Sequence, residues 1–123
     1  PEYLGLGLPV LGICLGHQLI ARSLGGETGP GESGGYGGLQ VTIHNHRSIL
    51  KGYPDIIRVW ASHADEVKQA PDGFEILASS PICKVEAMGC TEKRIYGLQW
   101  HPEVSHTENG HLIYENFSRI CTE

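Results

Sequence analysis

The sequence of 123 residues predicts a single α/β domain. Three observations lead to this fold class. A short apolar strand runs directly into a helix, later segments are rich in branched and aromatic residues, and the last segment has apolar residues at helical spacing. Because the chain shows no repeat, linker or low-complexity tract, we expect one domain over residues 1–123.

The first predicted strand is Val10–Ile13, which is apolar throughout, as expected of a strand that is buried on both faces. A helix is predicted over residues 16–24. It ends at Gly25 and Gly26, because glycine accepts the left-handed conformation that closes many helices. Residues 25–38 are rich in glycine and predict a loop or an irregular hairpin.

Branched and aromatic residues predict four more strands, over 39–43, 56–61, 74–78 and 95–100. A turn is predicted at residues 71–73, where proline presets φ and glycine tolerates positive φ. The last helix would be preceded by Thr107 as its N-cap. It has four residues on one face: Ile113, Phe117, Ile120 and Cys121.

The charge balance excludes several classes of partner. Nine Lys and Arg residues against fourteen Asp and Glu residues give a net charge of −5. An acidic chain does not attract a phosphate backbone, so we expect no nucleic-acid partner. The chain has no apolar run long enough to span a membrane and does not open like a signal peptide, so we expect a cytoplasmic protein without a membrane partner.

The four cysteines show no CxxC pair and no spacing typical of zinc sites, so we expect four reduced thiols and no metal. One of them differs from the rest by its neighbours. Residues 12–16 read Gly-Ile-Cys-Leu-Gly at the predicted strand-to-helix junction, which is the thiol counterpart of a nucleophile elbow. Such a turn exposes Cys14, and the helix N-terminus is expected to lower the pKa of its thiol. The backbone N–H of Leu15 would stabilise an oxyanion.

A second motif, His101-Pro102-Glu103, directly follows the last predicted strand. An imidazole at a strand end can take the thiol proton and pass it to a leaving amine. A carboxylate two residues further on can bond the other ring nitrogen and set the tautomer.

Together these motifs resemble the class I, or triad, glutamine amidotransferases. The resemblance is strongest in residues 9–18, PVLGICLGHQ, and 97–103, GLQWHPE. Within that family, residues 62–67, SHADEV, and 71–80, PDGFEILASS, are most similar to the amidotransferase part of GMP synthetases. The residues from Glu103 onward point the same way, so the resemblance runs from about residue 9 to 121.

The resemblance implies a three-layer, flavodoxin-like α/β fold with a mostly parallel central sheet. It also implies a catalytic triad of Cys14, His101 and Glu103. Cys14 would attack the side-chain amide of L-glutamine to form a γ-glutamyl thioester. His101 would be the general acid and base, and Glu103 would orient it.

The same resemblance gives roles to further residues. Gln18, Ser62 and His63 would bind glutamine. Asp65 and Glu66 would either meet the synthetase partner or form a solvated acidic pair. The chain itself would need no cofactor, because ATP and Mg²⁺ would be used by the ATP-pyrophosphatase subunit or domain of GMP synthetase, which aminates XMP to GMP.

The sequence departs from the family pattern at three places. Ala64 stands where the family has glycine, and Trp100 stands where it has phenylalanine. The family's N-terminal strands, and the glycine-rich loop that supplies a second oxyanion donor, have no counterpart here. We therefore expect an N-terminally truncated domain that lacks two βα units of roughly thirty residues each. Losing one oxyanion donor costs on the order of a hundredfold in rate.

Other functions remain open from the sequence. The chain could serve anthranilate or CTP synthesis, act as a γ-glutamyl hydrolase, or bind a partner without catalysis. Residues 31–38, GESGGYGG, are not followed by the Lys-Ser/Thr of a phosphate-binding loop. The sequence His44-Asn45-His46 resembles a nuclease motif, but no carboxylate cluster accompanies it, so surface histidines are expected.

Overall fold

The computed structural model describes residues 2–31, 37–61, 65–103 and 107–123. Helix α1 spans Leu15–Ser23 and helix α2 spans Gly110–Thr122. Short 3₁₀ turns cover Glu2–Gly5 and Ser48–Leu50. The strands are β1 Val10–Ile13, β2 Glu27–Pro30, β3 Gly37–Ile43, β4 Ile56–Ala61, β5 Asp65–Gln69, β6 Glu75–Ser80, β7 Cys83–Cys90 and β8 Ile95–Leu98.

Six strands form the main sheet, in the order β1-β8-β7-β6-β3-β4. Strands β1 and β8 run parallel, with Val10 opposite Ile95 and Ile13 opposite Leu98. Every other neighbouring pair in this sheet is antiparallel. Strands β2 and β5 form a separate antiparallel pair.

The prediction of a mostly parallel central sheet is therefore wrong for the described part of the chain, where the sheet is mixed and mostly antiparallel. The connections explain this result. Parallel neighbours need a crossover of a dozen or more residues, whereas a short turn reverses the chain. Strands β6, β7 and β8 are joined by such turns, at residues 81–82 and 91–94, so they must alternate in direction.

The predicted three layers are present. On one face of the sheet, Ile20 and Ala21 of α1 and Val67 of β5 pack with Val85, Met88 and Ile95. On the other face, Ile113 and Ile120 of α2 pack with a larger set of buried residues that includes Val41, Leu50, Tyr96, Leu98 and Trp100. Strand β8 supplies residues to both faces, because successive side chains of a strand point to opposite sides.

Most of the predicted elements are confirmed, including β1, α1 and the helix at the end of the chain. Three strands were missed: β2, β5 and β7. Strand β7 lies inside the main sheet and is buried at all but one position. It escaped prediction because Lys84, Glu86 and Gly89 interrupt its apolar pattern, although Glu86 is fully buried.

The predicted N-cap of the last helix is wrong. Helix α2 begins at Gly110 after Asn109, which has a left-handed conformation with φ 59°. The residues before it are tied to β4 instead, since the Glu108 N–H donates to the Arg58 carbonyl and the Glu108 carboxylate accepts from the Arg58 N–H. The start of α2 lies directly against the main chain of Pro102, where a β-carbon on Gly110 would overlap the Pro102 carbonyl.

Candidate active site

The candidate nucleophile occupies a sharp turn between β1 and α1. Cys14 has φ 55° and ψ −104°, a strained backbone conformation for a residue other than glycine. The Cys14 N–H donates to the Leu98 carbonyl at 2.7 Å, and the Cys14 carbonyl accepts from the Gln18 N–H. The strain is thus held in place from the neighbouring strand and from the helix that the residue precedes.

The glycines on the two sides of Cys14 contribute differently. A β-carbon on Gly12 would lie 2.6 Å from the Gly16 carbonyl carbon and from Cδ1 of Ile20, so only glycine lets α1 approach β1 this closely. A β-carbon on Gly16 would meet nothing within 4 Å. The close approach of β1 and α1 therefore requires that Gly12 has no side chain, and the group it brings Gly12 against is the backbone of Gly16.

The parallel pairing of β1 with β8 brings the two sequence motifs to one edge of the sheet. Cys14 follows the pair Ile13–Leu98, and His101 lies three residues beyond Leu98. Nδ1 of His101 lies 2.9 Å from Oε2 of Glu103, as the spacing of the motif predicts. The side chains of His101 and Glu103 are 30% and 52% exposed, so both groups border solvent.

The electrostatics of the thiol differ from the sequence prediction. Burial raises the pKa of Cys14 above its ordinary value, the hydrogen bond from the Leu15 N–H lowers it, and the charge of Glu103 raises it. Burial is the largest of these effects. The expected lowering by the helix N-terminus does not prevail, so the resting side chain is a neutral thiol at pH 7 that needs a base to become a nucleophile.

One residue beside the thiol was missed by sequence reasoning. Nε2 of Gln99 lies 3.9 Å from Sγ of Cys14, and Gln99 is 1% exposed. Its own N–H donates to the Glu86 carbonyl at 2.7 Å, which holds it as a continuation of β8. Within the described residues its buried Oε1 has no hydrogen-bond partner. The sequence signal that could have found it is its place two residues before His101, near the end of the predicted strand 95–100.

The residues predicted to bind glutamine are only partly described. Ser62 and His63, like Ala64, lie outside the described residues. Gln18 is nearly buried, and its Nε2 donates to the Asp65 carbonyl at 2.8 Å. This bond joins α1 to the start of β5, immediately after the segment that contains Ser62 and His63.

The two residues predicted to meet a partner have different environments. The side chain of Asp65 is exposed. Glu66 is 3% exposed, and its Oε2 lies 3.3 Å from Nζ of Lys68. The charge of Glu66 also raises the pKa of the buried thiol of Cys83. Its carboxylate therefore faces the interior, which corrects the picture of a solvated acidic pair and leaves Asp65 as the exposed member.

The described residues also bear on the metal and membrane predictions. Over the described ranges, no group of three or more His, Cys, Asp or Glu residues is arranged to hold a metal ion. No helix in the described part of the chain is long and apolar enough to cross a membrane. Two of the noted histidines have neighbours of their own: His44 contacts Ser79, and His46 contacts Asp55. All four cysteines are free thiols.

The glutamine amidotransferase class-I family matches residues 1–121. The chain therefore belongs to the class I glutamine amidotransferases, and it has their α/β fold.

Among its relatives, the glutamine-hydrolysing GMP synthase subunit of Methanoregula boonei is 68% identical over 99% of this chain and 66% of the relative. The corresponding subunit of Methanoculleus marisnigri is 57% identical over 98% of this chain and 66% of the relative. The chain thus spans slightly less than two thirds of these relatives.

A solved structure supports the same assignment. The crystal structure of a protein described as a GMP synthase subunit from Thermoplasma acidophilum superposes with a TM-score of 0.90 and 36% identity. The match covers 98% of this chain and 65% of that one.

Proposed function

We propose that the protein hydrolyses glutamine and delivers the ammonia to an ATP-dependent synthetase that converts XMP to GMP. The observation that carries the first part is the strained turn at Cys14, held beside β8, whose continuation carries the hydrogen-bonded pair of His101 and Glu103. The second part rests on the relatives, which are named as the glutamine-hydrolysing subunit of GMP synthase.

The proposed reaction begins with a proton transfer, because the thiol is neutral at rest. Nδ1 of His101 is engaged by Glu103, so its Nε2 takes the proton from Sγ of Cys14. The sulfur attacks the amide carbon of the glutamine side chain, and the resulting oxyanion accepts a hydrogen bond from the Leu15 N–H. The protonated imidazole then gives its proton to the leaving nitrogen, so that ammonia departs and a γ-glutamyl thioester remains.

Water completes the cycle. The same imidazole accepts a proton from a water molecule, whose oxygen attacks the thioester carbon. The carbon–sulfur bond breaks, glutamate is released and the thiol regains its proton. The carboxylate of Glu103 stabilises the imidazolium each time it forms, and the 2.9 Å contact keeps the ring in one orientation.

Substrate binding is proposed for the residues around the first turn of α1. We assign Gln18, Ser62 and His63 to the glutamine pocket. The bond from Gln18 to the Asp65 carbonyl supports this, since it anchors the residue that follows the 62–64 segment against α1. The exposed side chain of Asp65 then meets the ATP-pyrophosphatase subunit, which would hold the ATP and Mg²⁺.

The test is the intact mass of the protein after treatment with 6-diazo-5-oxo-L-norleucine, an electrophilic glutamine analogue. We expect one adduct that glutamine suppresses and that the Cys14→Ala variant lacks. The matched control is Cys121→Ala, which removes an exposed thiol and should leave the adduct unchanged. An adduct that survives Cys14→Ala, or that glutamine does not suppress, would contradict glutamine hydrolysis at this site.

The acceptor requires a second measurement. The protein is mixed with its ATP-pyrophosphatase subunit, and the formation of GMP from XMP and ATP is followed with either glutamine or ammonium as nitrogen source. We expect Cys14→Ala to abolish the glutamine-dependent rate and to leave the ammonium-dependent rate unchanged. Labelling of Cys14 without any amination of XMP would retain the hydrolysis and reject this acceptor.

A further inference from the structure

A cationic cleft lies on the opposite edge of the sheet from Cys14. It has a volume of about 370 Å³ and is bordered by the start of β8, the end of α2 and the 3₁₀ turn at Ser48–Leu50. Arg94, at the start of β8, lies in this cleft, whereas Cys14 and His101 follow the other ends of β1 and β8. Strand β8 separates the two places by roughly 13 Å at 3.3 Å per residue.

The charge of this cleft contrasts with the charge of the chain. Four of the nine Lys and Arg residues line it, although the net charge is −5. These four are Arg47, Lys51, Arg94 and Arg119. The carboxylate-bearing residue that lines the same cleft is Glu123. A cluster of positive charge in an acidic protein costs self-repulsion, so it is better explained by an anionic ligand than by the stability of the fold.

The cations are not neutralised by carboxylate side chains. Across the described residues, the ion pairs with Asp or Glu involve other groups: His46, Lys68, His101 and His111. The guanidinium of Arg94 instead donates to the main-chain oxygens of Glu123 and Gly7. That of Arg119 donates to Oδ1 of Asn116. The Gly7 carbonyl and the Asn116 amide oxygen are neutral acceptors, so they orient these guanidinium groups without cancelling their charge.

A single buried amide organises the cleft. Asn116 is 3% exposed, and its Nδ2 donates to the carbonyls of Ile49 and Lys51 at 2.9 Å each. Because its Oδ1 accepts from Arg119, the same side chain sets both the loop that carries Lys51 and the guanidinium on α2. The Arg119 guanidinium and the backbone at Lys51 are therefore held in place before any ligand binds, which reduces the entropic cost of binding.

Two strained residues also lie in the cleft. Ser48 has φ 57° and Arg94 has φ 58°, and both line it. Such conformations are strained for residues other than glycine and gather at functional sites. Among the described residues other than glycine, the same strain occurs at Cys14 and at Asn109, which precedes α2.

We propose that this cleft binds a small phosphorylated metabolite that carries at least two negative charges. Its volume lies in the range of small-molecule sites, about 300–1,000 Å³. Guanidinium forks match the geometry of phosphate oxygens, and the hydroxyls of Ser48 and Thr91 add donors. The buried residues Tyr96 and Ile120 supply an apolar wall for the organic part of an ester. The proposal is independent of the glutamine chemistry.

The test is a calorimetric titration of the purified protein with inorganic phosphate, ribose 5-phosphate, AMP and GMP. At least one ester should bind saturably with one site per chain. Its dissociation constant should rise at least tenfold in the Lys51→Gln/Arg119→Gln double variant. The matched control is Arg22→Gln/Lys84→Gln, which removes the same charges from exposed positions outside the cleft and should change affinity less than twofold.

Three results would overturn the proposal. The first is no saturable binding of any probe at low salt, and the second is an equal loss of affinity in both double variants. The third is binding of inorganic phosphate as tight as that of the best ester, which would assign the cleft to the free anion. Thermal melts verify that each variant folds. Arg47→Gln, at an exposed position in the cleft, provides a second probe if the double variant does not fold.

Discussion

Burial raises the pKa of two thiols, Cys14 and Cys83, above the ordinary value of a cysteine. Their surroundings nevertheless prepare them for different roles. Cys14 is partly exposed at a strained turn, with the Leu15 N–H directed at its sulfur and the Gln99 amide 3.9 Å away. Cys83 is 2% exposed, and the carboxylates of Glu66 and Glu86 raise its pKa further.

The comparison separates reactivity from resting pKa. A low thiol pKa is one way to obtain a nucleophile, but neither cysteine has it. Cys14 differs because it has donors for developing negative charge and lies on the edge of the sheet that carries an imidazole. Cys83 has carboxylates as neighbours, which oppose negative charge on its sulfur. The difference is thus one of geometry around the sulfur.

The largest expected effect comes from replacing the two cysteines separately. Cys14→Ser should lower glutamine hydrolysis by on the order of 10⁴-fold or more, since the remaining groups cannot replace the nucleophile. Cys83→Ser should change the rate less than about threefold, because no step of the proposed reaction uses its sulfur. Steady-state glutaminase assays of both variants, with the ATP-pyrophosphatase partner present, measure the two effects. Comparable losses of rate in two folded variants would refute the assigned difference between the thiols.

The second prediction concerns the carboxyl that borders Cys83. Burial raises the pKa of Glu86 from its ordinary 4.5 to about 7, and the bond from Ser80 only partly opposes this. The folded state therefore holds the proton more tightly than the unfolded state. The contribution of Glu86 to stability is therefore fully present below pH 4.5 and is lost as the pH rises to about 7, a total change of about 3 kcal/mol at 1.36 kcal/mol per pH unit.

Glu86→Gln should remove this dependence, because the amide is neutral at every pH. We expect the variant to gain up to about 3 kcal/mol over the native protein at pH 8 and to differ little at pH 4.5. Urea denaturation at several pH values measures the free energy of unfolding. The exposed Glu92→Gln serves as control and should track the native curve. A Glu86→Gln curve parallel to the native one would show that this carboxyl titrates normally.

The smallest expected effect concerns the two glycines of the turn at Cys14. Gly12→Ala places a β-carbon 2.6 Å from the backbone of Gly16, so it should destabilise the fold by about 1–3 kcal/mol. Gly16→Ala adds the same methyl group where nothing lies within 4 Å, and it should be neutral or stabilising by up to about 1 kcal/mol. Urea midpoints of the two variants measure the difference. Equal midpoints would mean that the strand and helix can separate without cost.

Sequence reasoning succeeded where the physical cause is local. The turn at Cys14 follows from the glycine two positions earlier and from a helix that begins at once. The contact between His101 and Glu103 joins residues two positions apart, so it needs little help from the rest of the fold. The strands predicted from branched residues lie where expected, because their side chains suit a half-buried pleated surface.

It failed where the cause is packing between distant segments. Strand β7 could not be predicted from its pattern, since a buried glutamate becomes tolerable only when Ser80 lies beside it. The start of α2 could not be placed because Glu108 bonds to Arg58, fifty residues away. Sheet direction was misjudged because the general preference of α/β folds outweighed the short connections actually present.

By itself, the sequence determined the family and the strand-to-helix turn, and it predicted which residues act as nucleophile, imidazole and carboxylate, because motifs encode chemistry within a few residues. Only the tertiary structure decided the mixed sheet, the neutral state of the Cys14 thiol and the place of Gln99 against a sulfur 85 residues away. It also decided which four cations share one cleft. The physical reason is that burial and electrostatic environment depend on atoms that are brought together only when the chain packs.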